Sequence, residues 1–111
     1  MSKKIAIILR KPPHGSLFPA EGLRVAVAVS ASETKVVSLG ESVYTFLKEA
    51  DMTLYKHHID FLNETEIPIF IDKDALEKCG LTERDLVDTV KVKEHSEILK
   101  IITDADATLA F

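Results

Sequence analysis

The sequence predicts an α/β fold, a three-layer sandwich in which helices cover a mostly parallel central sheet of about five strands. Apolar, strand-like runs alternate with helical segments along the whole chain, and the connections between them are short. The first run, Lys4–Leu9, is almost continuously apolar, which is typical of a strand buried on both faces of a parallel sheet. A segment of small residues with a helical entry follows it. These features predict that the chain starts as a strand, a loop and a helix.

The first helix is predicted from Ala20 to Ala31, because Pro19 suits a first helical turn and an Ala-rich segment follows. The small side chains of this helix permit close packing on the sheet and also suit a subunit interface. Thr34–Leu39 is predicted as the second strand, and Gly40 ends it. The segment Glu41–Leu47 then has its apolar residues at helical spacing and is predicted as a helix.

The middle of the chain continues the alternation. Tyr55–Glu64 is predicted as a short helix and Ile67–Ile71 as the third strand. Pro68 lacks a backbone N–H and therefore makes this strand a poorer candidate for a central position in the sheet. A helix is predicted next, over Asp72–Cys79, with Asp72 as its N-cap and Gly80 as the residue that ends it. The remaining predicted elements are a capped turn over Thr82–Asp85, a fourth strand at Val90–Val92, an amphipathic helix at His95–Ile102 and a last strand at Ala107–Phe111.

Composition limits the function. The 111 residues predict one domain over 1–111, with 46% hydrophobic and 29% charged residues, as in a soluble globular protein. A net charge of −4 without a basic run argues against direct nucleic-acid binding. No stretch approaches the roughly 20 apolar residues of a membrane span, and no signal peptide is recognised. The single cysteine allows no internal disulfide and suits a reducing compartment, so we expect a cytoplasmic protein without membrane contact.

The loop after the first strand is the candidate binding or interface region. It lies at the carboxyl end of a parallel strand, where ligands and partners dock in open α/β sheets. His14, Gly15, Ser16 and Glu21 are its candidate residues. His14 suits contact with an anion, a loop-fixing hydrogen bond or a subunit contact. Because Gly15-Ser16 does not match a phosphate-binding loop, the segment does not predict a nucleotide site.

No metal or cofactor is predicted. His57 and His58 are adjacent, so on a helix their side chains point about 100° apart. The two rings are therefore poorly placed to bind the same metal ion. The chain has one cysteine and lacks the cysteine and histidine spacings of zinc sites. The role of the two histidines stays open.

Two short motifs resemble those of a known family. Pro13-His14-Gly15 and Glu21-Gly22-Leu23 are separated by five residues and follow the first strand. With Gly80-Leu81 after the third strand's helix, they resemble the DsrE/DsrF-like sulfur-relay family, most closely its TusC/DsrF branch. The resemblance implies a parallel, flavodoxin-like α/β fold. It also implies assembly into a homo-oligomer (trimer or hexamer) or a hetero-oligomer with related subunits, some of which pass persulfide sulfur toward tRNA thiolation or sulfur oxidation.

One departure from the family pattern bears on chemistry. In the sulfur-carrying branch, the active cysteine lies at or just before the start of the helix after the third strand. Asp72 takes that place here, and a carboxylate does not carry a persulfide. The only cysteine, Cys79, lies at the opposite end of the same predicted helix, where the helix dipole disfavours a thiolate and only Lys78 offers compensation. Cys79 is therefore either a packing residue or a displaced sulfur acceptor.

Three functions remain open from the sequence. The first is a non-catalytic subunit or scaffold of a sulfur-relay assembly, which the missing cysteine favours. The second is a sulfurtransferase or persulfide carrier that uses Cys79 as its catalytic residue. The third is a small-ligand-binding, flavodoxin-like domain, although Lys11–His14 is a poor match to the Ser/Thr-rich loop that a flavin requires. Whether the chain is an enzyme depends on Cys79.

Overall fold

The strands and helices largely alternate along the chain. A computed structural model describes residues 3–13 and 17–111. Within these ranges the strands are β1 (Lys4–Leu9), β2 (Glu33–Ser38), β3 (Ile69–Asp72), β4 (Lys91–Lys93) and β5 (Ala107–Ala110). The α-helices are α1 (Phe18–Ala28), α2 (Lys56–Glu64), α3 (Lys73–Lys78) and α4 (His95–Asp104). Two 3₁₀ helices, Gly40–Phe46 and Glu83–Asp85, complete the described part of the chain.

The strands form one parallel sheet in the order β4-β3-β2-β1-β5. From β1 the chain crosses the sheet in one direction to β4, and α4 then returns it to the other side of β1. The predicted α/β sandwich with a parallel sheet is confirmed. In the flavodoxin order 2-1-3-4-5 the strand order reverses beside β1, and here too the reversal falls beside β1, between it and β5. The loop after β1 therefore leaves the sheet at the point where such folds bind ligands.

Helices cover the two faces of the sheet unequally. Paired residues Ile7, Val36 and Ile69 share one face, and the main core forms there against α1, α2, α3 and the first 3₁₀ helix. Val37 and Phe70 share the other face, where α4 packs and buries Ile98 completely. This arrangement follows from handedness. Right-handed crossovers that run in opposite directions lie on opposite faces of a sheet.

Helix α1 is shifted toward the N-terminus relative to the predicted span of Ala20–Ala31. It begins at Phe18, with Pro19 in its first turn, and ends at Ala28. Beyond it the chain turns back, since the Ser30 N–H donates to the Val27 carbonyl at 3.2 Å and β2 follows within a few residues. The end of the predicted helix therefore belongs to a turn rather than to a last helical turn.

The third strand is internal, which corrects the expectation that Pro68 would keep it from a central position. β3 lies between β2 and β4. Pro68 precedes the strand, and its carbonyl accepts a hydrogen bond from the Val36 N–H at 3.0 Å. The proline thus supplies an acceptor to the neighbouring strand at a position where no backbone N–H is needed.

The helix predicted over Glu41–Leu47 is a 3₁₀ helix that begins at Gly40 and ends at Phe46. Gly40 has a φ of +56°, which favours glycine. The buried Ser42 hydroxyl lies 2.9 Å from the Leu9 carbonyl and 2.7 Å from the Leu39 carbonyl. The bond to Leu9 ties the segment to the carboxyl end of β1, and the local bond to Leu39 favours the tighter helix.

None of the helices in the described ranges combines the length and the apolar run that crossing a bilayer requires.

Candidate functional site

Asp72 ends β3 and immediately precedes α3, the place where the family resemblance puts a cysteine. Its residue surface is only 4% exposed. Asp72 is the N-cap residue, as predicted, but its side chain makes no hydrogen bond to the helix. Asp72 shares a sheet face with Phe70, the face that α4 covers, so its carboxylate points away from α3. Instead, Oδ1 lies 3.1 Å from Nδ1 of His95.

His95 is the partner that the sequence did not reveal. It is the first residue of α4, and its side chain is 44% exposed while that of Asp72 is only 6% exposed. When Nδ1 carries the proton, the imidazole donates a hydrogen bond to the buried carboxylate, which would otherwise be costly to bury. A histidine at a predicted helix start gives no signal for this contact, because 23 residues separate it from Asp72.

A cleft of about 720 Å³ opens beside this pair, between α3, the second 3₁₀ helix, β4 and α4. Leu76, Leu81 and Val92 give it apolar walls, and charged side chains surround them. At the rim, Lys73 Nζ lies 3.2 Å from a Glu94 carboxylate oxygen and joins α3 to the residue that precedes α4. The hydrogen bond and the charge of Glu94 raise the pKa of Lys73. The ion pair is exposed, so solvent screens it and it contributes little to stability.

Cys79 lies at the other end of α3, about 10 Å from Asp72 along the helix axis. It is half-buried and takes the C-cap position, and Gly80, with a φ of +71°, ends the helix as predicted. The hydroxyl of Tyr44 bonds to the Cys79 side chain, and this bond is the largest cause of a raised Tyr44 pKa. Sequence reasoning missed Tyr44, which the first 3₁₀ helix brings to α3.

This contact predicts a change in tyrosine titration. Tyr44 and Tyr55 are the only tyrosines, and both have a pKa raised above the ordinary value of 10.0, Tyr55 chiefly by burial. Cys79→Ala removes the main cause at Tyr44, so one of the two tyrosines should ionise at lower pH. Ultraviolet absorbance at the phenolate band measures the shift. Cys79→Ala and wild-type curves that superimpose would contradict the contact.

The same pKa directions fix the sign of a stability change at high pH. A tyrosine with a raised pKa holds its proton more tightly in the folded state than in the unfolded state. Its contribution is therefore complete below pH 10.0 and is lost as the pH rises above that value. Denaturant titrations between neutral and alkaline pH should show falling stability, with a shallower fall in Tyr55→Phe. An equal slope in that variant would contradict the assignment.

Of the four candidate residues predicted in and after the loop that follows β1, the structure describes only Glu21. His14, Gly15 and Ser16 lie outside the described residues. Glu21 is exposed on α1 and pairs with Arg24 at 2.8 Å, and it also acts on His58 of α2 electrostatically. It therefore lies beside α2 and belongs to neither the Asp72 nor the Cys79 end of α3. Its predicted role in binding or at an interface stays a prediction.

The adjacent histidines of α2 lie closer to each other than their predicted divergence suggests. The ring centroids of His57 and His58 are 4.0 Å apart. Burial lowers the pKa of His58, and the neighbouring His57 and Arg24 lower it further, while Glu21 opposes them. Over the described ranges, no set of three or more His, Cys, Asp or Glu side chains is placed to hold a metal ion.

Comparison with known proteins relates the whole chain to one family. The sequence pattern of the DsrE/DsrF-like family matches residues 3–111. A curated relative, the intracellular sulfur oxidation protein DsrF of Allochromatium vinosum, is 26% identical over 131 aligned positions, which span 98% of this chain and 96% of the relative.

Solved structures share the fold. The ychN protein of E. coli superposes with a TM-score of 0.85 at 20% identity, with both chains covered completely. MTH1491 of Methanobacterium thermoautotrophicum superposes with a TM-score of 0.73 at 14% identity, again over both complete chains. At these low identities the structural similarity shows only a shared fold. The family pattern, in contrast, matches the sequence itself over residues 3–111. The chain therefore belongs to the DsrE/DsrF-like family.

Proposed function

We propose that this chain is a non-catalytic subunit, or scaffold, of an intracellular sulfur-relay assembly. Membership of the DsrE/DsrF-like family and the similarity to DsrF support the sulfur-relay part. The relative's description as an intracellular sulfur oxidation protein favours sulfur oxidation over tRNA thiolation as the pathway and a location inside the cell. The observation that carries the non-catalytic part is the place and environment of Asp72.

The chemistry of Asp72 argues against sulfur transfer at this position. A persulfide needs a thiol sulfur to form the sulfur–sulfur bond, and a carboxylate offers only oxygen. The carboxylate is buried and already bonded to His95, so its environment suits a structural role that joins β3 to the start of α4. A subunit of this kind would shape an assembly around the thiols of related subunits rather than accept sulfur itself.

The proposal predicts which proteins copurify with the chain. Tagged chain produced at its native level in its own host should copurify, in fixed ratio, with related subunits that have a cysteine at the start of the helix after their third strand. Light scattering on the product should give a trimer or hexamer mass rather than a monomer. Recovery of the chain alone, or only with copies of itself, would contradict the role as a non-catalytic subunit of a relay.

The Tyr44–Cys79 contact favours a second candidate function, a persulfide carrier that uses Cys79. A hydroxyl group beside a thiol can donate a hydrogen bond to a thiolate or to a persulfide anion. Cys79 packs against the core but is only partly buried at the end of α3. In this function, the Cys79 thiolate would attack the outer sulfur of a donor persulfide and release the donor as a thiol.

Labelled sulfur separates the two functions. Under the non-catalytic proposal, wild type and Cys79→Ser retain equal, background amounts of label after incubation with a persulfide donor. A carrier would retain close to one sulfur per chain, lose it in Cys79→Ser, and accept it more slowly in Tyr44→Phe, which removes only the hydroxyl. Mass spectrometry of the intact protein measures all three.

A further inference from the structure

The two edges of the sheet differ in how they are protected against pairing. β4 is only three residues long and has a lysine at each end, Lys91 and Lys93. Short length and lysines are the usual means by which an edge strand resists pairing with another chain. β5, at the opposite edge, has the sequence Ala-Thr-Leu-Ala and no charged residue. Its residues 108–110 are exposed, and no other strand of the described residues pairs with this edge.

The backbone of β5 offers a defined set of hydrogen-bonding groups. The Phe111 N–H donates to the Ile8 carbonyl at 2.8 Å, and the Arg10 N–H donates to the Phe111 carbonyl at 2.7 Å. Because alternate residues of a strand direct their peptide groups to opposite sides, Leu109 also faces β1. Thr108 and Ala110 therefore direct one N–H and one carbonyl each away from the sheet.

These groups are self-complementary, and we propose that the β5 edge pairs antiparallel with the β5 edge of a second copy of this chain. A two-fold axis at Leu109 sets Thr108 of each copy opposite Ala110 of the other. The two N–H and two carbonyl groups of each edge are then satisfied by four hydrogen bonds. Such an isologous contact closes after two copies and joins the two five-stranded sheets into one.

Side chains beside the axis suit this contact. Leu109 is 41% exposed, and its register with Ile7 places it on the face that α1 covers. Across the axis it would meet Leu109 of the second copy in a non-hydrogen-bonded pair, where side chains come closest. Phe111 follows Leu109 by two residues, and its ring lies close to Gly22 of α1. Phe18 is one helical turn before that glycine and is 52% exposed. An apolar band therefore continues from the strand to the helix.

The pairing goes beyond the proposed function, because it assigns a surface and a symmetry and does not depend on whether the chain handles sulfur. It is also compatible with a larger closed assembly, in which the two-fold contact would join smaller rings. Failure of the copurification experiment would leave it intact, and its own tests use the purified chain alone.

Cysteine cross-linking tests the register. In a Cys79→Ser background, Leu109→Cys should form a disulfide-linked dimer on mild oxidation, since non-hydrogen-bonded partners lie about 4.5 Å apart at Cα. Thr108→Cys is the matched control. The Cα atoms of residue 108 in the two chains would lie more than about 7 Å apart, so this variant should stay monomeric on a denaturing gel. No linked dimer from Leu109→Cys, or a dimer from Thr108→Cys instead, would overturn the proposal.

Charge repulsion tests the contact without cross-linking. Leu109→Lys would place two ammonium groups opposite each other and should weaken self-association at least tenfold in sedimentation equilibrium. Leu99→Lys is the control, because Leu99 is also exposed, at 47%, but lies on α4. It should associate like the wild type. Equal association constants for Leu109→Lys and the wild type would overturn the proposal, and circular dichroism verifies that each variant is folded.

Discussion

Gly22→Val is expected to lower the free energy of unfolding by about 3 kcal/mol, at the severe end for overpacking of a core. Gly22 is a buried residue of α1. A Cβ at this position would overlap Leu9 Cδ2 and lie 3.2 Å from the Phe111 ring. Leu9 is fully buried and has little room to move, so the helix would have to shift from β1. Denaturant unfolding measures the loss.

A double-mutant cycle isolates the cause. Leu9→Ala removes the side chain that the introduced valine would meet, so the two substitutions together should cost less than the sum of their separate costs, by about 1–3 kcal/mol. Glu21→Ala, at the neighbouring exposed position, should change stability by less than about 1 kcal/mol. Additive effects of the Gly22 and Leu9 substitutions would contradict the packing argument. The glycine of the Glu-Gly-Leu motif is thus explained by helix-to-sheet packing.

Phe46→Ala is expected to cost about 3–5 kcal/mol, the usual range for deleting a core phenylalanine. Phe46 is fully buried at the end of the first 3₁₀ helix, and its carbonyl accepts a hydrogen bond from the Val87 N–H at 2.9 Å. The same short helix presents Tyr44 to Cys79, so the cavity should also loosen that contact. We expect the Tyr44 titration to move toward lower pH in this variant.

Phe61→Ala gives a control of identical chemistry in a different environment. Phe61 lies on α2 and remains 39% exposed, so its loss should cost well under half as much as the loss of Phe46. Thermal or denaturant unfolding of the two variants under the same conditions measures the difference. Equal losses, or a Tyr44 titration in Phe46→Ala that matches the wild type, would contradict the role given to the first 3₁₀ helix.

The fold was predictable from the sequence wherever one local signal dominated. β1 has its predicted limits, because a continuous apolar run between charged residues defines both ends. The predictions for α1 and β3 were less accurate. The limits of α1 are set by a turn that packs against the sheet, and the central place of β3 depends on Pro68 lying before the strand rather than within it. Neither property is local to the sequence.

The candidate site was predictable only in part, for the same physical reason. The place of Asp72 follows from a strand followed by a helix, which sequence patterns indicate well. Its partner His95 and the Tyr44 contact to Cys79 depend on how distant segments pack across the sheet. The direction of the Asp72 side chain follows from strand alternation. That alternation takes the carboxylate to the α4 face and away from the helix that it was expected to cap.

In the proposed function, the chain supports sulfur relay without carrying sulfur itself. The most direct measurement is the rate at which labelled sulfur passes through the complex purified with its partner subunits. We predict equal rates for complexes that contain the wild type or Cys79→Ser, and a much lower rate for the partner subunits alone. A Cys79→Ser complex that is as slow as the partner subunits alone would contradict the claim and identify Cys79 as a carrier.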